Sequence, residues 1–511
     1  MKKLYMLSFM IIMIGVSVYA QDTRKQDLSD LAQKFKDSLD YSGVFLVANG
    51  TTILLEKAYG YANMEHTVKN TINTKFRIAS ISKMFVSYAI FILADKKEVD
   101  FNESIEKYFP SLKKEFSKQI TIKHLITHSS GLTRDIDILS PKSSHENYTE
   151  EEFITILNST NLQSTPGKSY SYSNVGFSLL GRIIEKATKK NFNEAMSQLI
   201  FKPLKLKNTG HEIEGHIVAD MANGYNAIGE ELFKSSHENK SHVFAAGSMY
   251  SNAKDLLLFA KEVIDGDLIS DKMHKLYLKS GGWVTWKYSG NLNNQKSVGQ
   301  FLMHSGSCPG YRATIGLFLE DNTVVIGLSN KVPINTALIY NKLGNIAVGL
   351  EPEELFKPHI IKLTPDIING KFKSAIEKYD QLLKSNPNNE KMKVGELNTM
   401  GYLYLEYNKT KEAINFFKFA TMLFPKNSNA FDSLGEALIK DGQGLEGVQM
   451  YEQSLKLNSK NENAKAAIKQ FKNGNTKDGI KKFNIEYQII FFLLLFTVIG
   501  GFWIYLRKSK E

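Results

Sequence analysis

Phe76-Arg77-Ile78-Ala79-Ser80-Ile81-Ser82-Lys83-Met84-Phe85 is the stretch on which the reading of this chain turns. An apolar run follows it through Val86, Ala89, Ile90, Ile92, Leu93 and Ala94. That pattern predicts a helix with Ser80 as its N-cap, where serine is favoured because backbone N–H groups are unpaired. Lys83 comes three residues later, on the same helical face. A hydroxyl and an amine thus share an apolar helix that buries both. Burial disfavours an ammonium ion, which suits the lysine to take a proton from the serine. The spacing alone is not specific, since Ser104/Lys107 and Ser111/Lys114 repeat it. What singles out Ser80 lies further along.

The chain has 511 residues, 42% hydrophobic and 23% charged, which suggests two or three globular domains. Its net charge is +11, but the lysines are scattered and no aromatic-studded basic cluster appears, so nucleic acid is not an expected partner. A single cysteine, Cys308, excludes an intrachain disulfide and a cysteine-based zinc site. Residues 1–20 read as a signal peptide: Lys2 and Lys3, an apolar stretch from Leu4 to Val18, then small residues at Val18 and Ala20. Near the other end, Ile489 to Leu506 carries no charge and is long enough to span a bilayer. The expectation is a single-pass cell-membrane protein with a transmembrane helix over 487–506 and a cytoplasmic tail over 507–511. The domains between would be exported.

Two strand-like runs, Gly43 to Ala48 and Thr52 to Ala58, flank Asn49-Gly50, a strong hairpin signal. Two more, Ala313 to Leu319 and Thr323 to Ser329, stand far downstream. Together they predict an antiparallel sheet built from both ends of a domain over 21–350, with helices around it. His124 and His128 lie four apart, but no glutamate stands between them in H-E-x-x-H fashion, so a structural turn is expected rather than a metal site. The residues offer no cofactor or metal set. Residues 351–362 read as a linker. Beyond them Gly401, Ala413, Phe417, Ala420 and Pro425 recur 34 residues later as Gly435, Gly447, Tyr451, Ser454 and Ser459, with a more distant copy at Ala375, Tyr379 and Pro387. This period over 363–473 resembles tetratricopeptide repeats, whose small residues let paired helices approach, and it implies a protein or peptide partner.

Ser80-Ile81-Ser82-Lys83, then Tyr172-Ser173-Asn174, then His304-Ser305-Gly306 follow in order, with H-L-I-T-H-S-S-G-L, T-P-G and H-S-G-S-x-P-G-Y around them. This set resembles the serine β-lactamase and penicillin-binding-protein superfamily, most closely the class C β-lactamase, DD-peptidase and esterase branch. Tyr61-Ala62-Asn63 also fits Y-x-N, but it precedes the serine and lacks the T-P-G lead-in. The resemblance implies an α+β domain of β-lactamase/transpeptidase-like fold, followed here by the all-α repeats and the membrane helix. It implies acyl transfer through Ser80, with Lys83 and Tyr172 sharing the proton work and the choice of base open. A phenol beside an ammonium would have its pKa drawn down. Asn174 would hold Lys83 and the substrate amide, and His304, Ser305 and Gly306 would line the substrate. The backbone N–H groups of Ser80 and Ser307 would form the oxyanion hole. Substrates would be D-amino-acid peptides, β-lactams or small esters and amides. The alternative is a penicillin-binding sensor or scaffold without turnover. Histidine replaces the usual lysine of K-T-G. If His304 titrates near 6.5, acylation by carboxylate-bearing β-lactams should rise as pH falls through that value.

Overall fold

The computed structural model describes residues 23–136, 146–228, 231–236, 238–292, 295–350, 359–385, 391–459 and 461–473. The signal peptide, most of the linker, the membrane span and the tail expected from the sequence lie outside these residues. Among those described, no helix is long and apolar enough to cross a membrane. The described residues divide into two compact units, those up to 227 with those from 232 to 350, and residues 228 and 231 with those from 359 onward.

The first unit is built on a six-stranded antiparallel sheet. Its strands are β1 (Gly43–Asn49), β2 (Thr52–Tyr59), β3 (Val284–Leu292), β4 (Gln295–Cys308), β5 (Tyr311–Phe318) and β6 (Thr323–Ser329). Their spatial order is β3-β4-β5-β6-β1-β2, so the amino-terminal hairpin completes a sheet begun by the carboxy-terminal strands. Gly50 takes φ +56° in the hairpin turn, as the Asn-Gly pair leads one to expect. β1 sits at an interior position, paired Gly43 to Ser329 on one side and Gly43 to Tyr59 on the other. It is buried on both faces, which explains its unbroken apolar run. Val44, Leu46 and Ala48 face one core, while Phe45 and Val47 face another.

Helices cover both faces. On one side lie α1 (Ser82–Asp95), α2 (Asn174–Thr188) and α3 (Ala253–Asp265); on the other lies α4 (Thr336–Ala347). Every residue of α1 from Ser82 to Leu93 is buried. A helix apolar all round is an interior helix, and α1 is the post around which this core packs. Asn252 rather than Ser251 caps α3, accepting from Asp255 N at 2.9 Å.

The second unit contains α5 (His359–Ile368), α6 (Phe372–Ser385), α7 (Val394–Glu406), α8 (Thr410–Leu423), α9 (Ser428–Lys440), α10 (Gly444–Leu457) and α11 (Glu462–Asn473). The start of α5 corrects the linker, whose last four residues are helical. Helices α9 and α10 begin 34 residues after α7 and α8. A Cβ on Gly401 would lie 2.4 Å from the Phe417 ring, so only glycine lets α7 meet α8 this closely.

Candidate active site

Ser80 does not cap α1. It occupies the middle of a 3₁₀ turn, Ala79–Ile81, and the N-cap residue is Ile81, which has no side-chain cap bond. Ala79 takes φ +44°, a conformation that costs free energy for a residue with a Cβ. The turn is pinned by Ile78 N donating to Met249 O at 3.0 Å and Ile81 N to Ile78 O at 3.1 Å. A capping hydroxyl would be tied to helix N–H groups. The turn instead leaves Ser80 Oγ to two side chains, Lys83 and Tyr172.

Lys83 is fully buried, its Nζ 3.0 Å from Ser80 Oγ and 2.7 Å from Ala246 O. Burial holds its pKa well below the usual lysine range, the Arg134 guanidinium pushes the same way, and Asp135 opposes both. Tyr172 lies beside it, with Nζ 5.0 Å from the ring centroid. Burial pushes the phenol pKa up, although Arg134 and the Ser80 hydrogen bond work against it. The expectation that a neighbouring ammonium lowers the phenol is therefore overturned. Desolvation removes that ammonium's charge and outweighs what remains.

The Tyr172-Ser173-Asn174 segment enters α2. Ser173 Oγ accepts from Gly176 N at 3.1 Å as the cap. His128 straps the segment in place: its Nδ1 accepts from Ser173 N at 3.1 Å, its carbonyl from Ser171 N at 2.7 Å, and its ring stacks on Tyr172 at 4.4 Å. His124 has a separate task, accepting from Thr121 N in a capping box. Among the described residues no three potential metal ligands cluster.

Asn174 departs from expectation. Its Nδ2 donates to Asp135 Oδ1 at 2.6 Å, not toward Lys83, whose Nζ is engaged by Ser80 and Ala246. Arg134 Nε pairs with the other Asp135 oxygen, Oδ2, at 3.3 Å, and the guanidinium lies 4.9 Å from the Tyr172 ring centroid. The Arg134 carbonyl accepts from Asn174 N at 2.8 Å. The sequence reading missed this Arg134–Asp135 layer. The available signal was a pair of opposite charges directly after the Gly131-Leu132-Thr133 turn.

Strand β4 supplies the remaining pieces. A Cβ on Gly306 would lie 2.0 Å from Ile78 O, so this residue serves by letting the strand press against the turn that carries Ser80. The neighbouring Ser307 peptide is thereby carried to the same place. His304, two residues from Gly306 and on the same face by strand alternation, is buried. Its Nδ1 lies 2.9 Å from Ser305 O; a carbonyl only accepts, so Nδ1 carries the proton and Nε2 is bare. Burial, helped by Lys83, pushes its pKa down to about 3. A titration near 6.5 is thus corrected: the imidazole stays neutral. Ser305 contributes that carbonyl oxygen.

Residues 28–345 match the family model described as Beta-lactamase. Penicillin-binding protein 4* of Bacillus subtilis (strain 168) is 25% identical over 333 residues, covering 61% of this chain and 73% of that protein. Other curated relatives, from Staphylococcus aureus, are matched over only 60% of their length. Among solved structures, D-amino acid amidase from Ochrobactrum anthropi SV3 superposes with a TM-score of 0.53 at 22% identity, covering 64% of this chain and 97% of that one. A class C beta lactamase gives 0.53 at 18% identity, covering 64% and 98%. At these identities the structural likenesses speak to fold. The family match covers more than half of the sequence, and this chain belongs to the beta-lactamase family.

Proposed function

We propose that the chain is a serine hydrolase that works through an acyl-enzyme on Ser80. The observation that carries this reading is the buried Lys83 amine 3.0 Å from Ser80 Oγ. A neutral amine whose N–H is held by Ala246 O has its lone pair free to accept the Ser80 proton. In this reading Lys83 is the base. Oγ attacks a carbonyl carbon, the Ser80 proton passes to Nζ, and the oxyanion is met by the backbone N–H groups of Ser80 and Ser307. The leaving group departs with a proton relayed through Tyr172, whose raised pKa keeps it a donor. Water then cleaves the ester with the proton transfers reversed. Acceptable acyl donors are D-amino-acid peptides, β-lactams and small esters or amides. A neutral His304 offers no full charge to a substrate carboxylate, which favours donors that do not depend on one there.

The same proposal places the enzyme and helical units outside the cytoplasm, tethered by the apolar segment 487–506. It reads the 34-residue helix pairs as tetratricopeptide-like repeats that take a protein or peptide partner. Intact mass of the protein sampled over time with a penicillin, beside Ser80→Ala, tests the chemistry. A Ser80-dependent adduct that clears means turnover. One that persists means a penicillin-binding or sensing role. No adduct with penicillin, a D-alanyl peptide or a small thioester sinks the acyl-enzyme reading.

A further inference from the structure

Ala246 O accepts from Lys83 Nζ at 2.7 Å. When Nζ takes a proton it becomes an ammonium, and a charged donor makes a much stronger hydrogen bond than a neutral one. The bond to Ala246 O therefore tightens as charge develops, and where that carbonyl sits bears on rate. It belongs to the 3₁₀ turn Phe244–Ala246. The turn begins on Phe244 at φ +38°, a left-handed conformation that is strained for a residue with a Cβ. Helix α2 braces it. Ser178 Oγ donates to Val243 O at 2.9 Å, and a Cβ on Gly181 would lie 2.3 Å from Ala245 Cβ, so the helix rests directly on the turn. The next residue, Arg182, is buried. Its guanidinium carbon lies 4.9 Å from the Phe244 ring centroid and 5.1 Å from that of Phe153, which stands on the helix Glu150–Asn158.

A guanidinium is an unfavourable group to bury there. Its Nε has no hydrogen-bond partner among the described residues. Its ion-pair partner Glu150 stands 3.7 Å from Nη1, beyond hydrogen-bond reach, and also pairs with Lys186 at 3.0 Å. An aliphatic side chain would fill the space without the desolvation penalty. What the guanidinium supplies is attraction for two ring faces, which strengthens where water is excluded. We propose that Arg182 is a positioning residue: by holding the Phe244 ring it keeps the Phe244–Ala246 turn in its strained form, and so keeps the Ala246 carbonyl aimed at Lys83. This rests on the Ser80 acyl-enzyme reading with Lys83 as base. Arg182 acts through Phe244 and Ala246, not on the reacting atoms.

The test is the pH profile of kcat/KM for Ser80-dependent thiol release from a small thioester, measured beside melting curves. Around Lys83 the charged and titratable groups are Arg134, Asp135, Tyr172, His128 and His304, and a substitution at 182 leaves all of them in place. Arg182→Met should lower the plateau by about 10-fold, the size of one hydrogen bond to a charged group. Its melting temperature should be unchanged or higher, because Glu150 keeps Lys186 as a partner. With Ala246 O displaced, burial alone acts on Lys83, so the low-pH limb should move down by about one pH unit. Water entering a loosened site would move that limb up instead. Arg182→Lys, which keeps a cation for the rings, should recover part of the rate. Should the limb lie below the pH of unfolding, rate loss at an undiminished melting temperature decides. If Arg182→Met does not fold, Phe244→Leu must show the same loss and shift. An unchanged rate, a limb that stays or moves up, or a rate loss that only follows lost stability overturns this inference and leaves the serine hydrolase standing. No Ser80-dependent release from the unmodified protein removes both.

Discussion

Lys83 in the hydrolase unit and Glu436 in the helical unit are both buried, and burial drives each toward its neutral form. Around Lys83 lie the partly exposed Ser80 hydroxyl and the Ala246 carbonyl, and in the proposed mechanism that hydroxyl gives up its proton. Around Glu436 the neighbours are closed in. Tyr402 donates to Glu436 Oε2 at 2.8 Å, Ser433 Oγ donates to the phenol oxygen at 3.1 Å, and Asn398 donates to Ser433 Oγ at 3.0 Å. Burial pushes the Glu436 pKa up to about 8, and Asp432, itself pushed up to about 6 by burial, adds to it. The difference teaches that desolvation alone does not make a reactive group. A neutralised amine becomes a base only where an exchangeable proton and a route for substrate lie within hydrogen-bond reach.

The two residues also pull stability in opposite directions with pH. Lys83 has a folded pKa below its unfolded one, so the unfolded chain binds more protons in that interval and stability rises with pH there. Glu436 has a folded pKa above its unfolded one. Its contribution is full below about pH 4 and is lost as pH rises toward about 8.

The largest effect that could break the comparison is at Lys83. Lys83→Met should cut Ser80 acylation by roughly 10²–10⁴, while raising the melting temperature at neutral pH because a costly buried amine is gone. Retained activity in this variant, measured by acylation rate, would remove Lys83 from the chemistry. Next is Gly306→Ala, whose Cβ would collide with Ile78 O. Pushing β4 off the nucleophile turn should cost about 10²-fold in rate, as the loss of one oxyanion donor does, with stability lowered by about 1–3 kcal/mol in denaturant unfolding. Glu436→Gln keeps an acceptor for Tyr402 without a titrating group. It should stabilise the helical unit at pH 8 by on the order of 1–3 kcal/mol and flatten its decline between pH 5 and 8, as read by melting curves across that range. The smallest effect is at His304. Because its pKa is pushed down to about 3, His304→Gln should leave the shape of the acylation profile between pH 5.5 and 8 unchanged. A rise in rate as pH falls through 6.5, present in the parent and absent from the variant, would restore a titrating His304.

Much of this was legible in the chain alone. Asn49-Gly50 between apolar runs specified the hairpin, because few residues tolerate that turn. The 34-residue spacing of Gly401 and Gly435 specified close-packed helix pairs, because a side chain there has nowhere to go. The order of Ser80, Lys83, Tyr172, Asn174 and His304 pointed to the candidate site, since the proposed chemistry needs those residue types. The tertiary structure decided the rest. Ser80 left the cap position because contacts to Met249, remote in sequence, hold Ala79 in a strained turn. Asn174 turned to Asp135, and burial moved the pKa values of His304 and Tyr172 away from those the sequence suggested. Residue types and local spacing carry hydrogen-bonding capacity and backbone preference. Ionisation state and side-chain orientation depend on how much water is excluded and on which distant groups close the remaining bonds, and those are set only when the chain is folded.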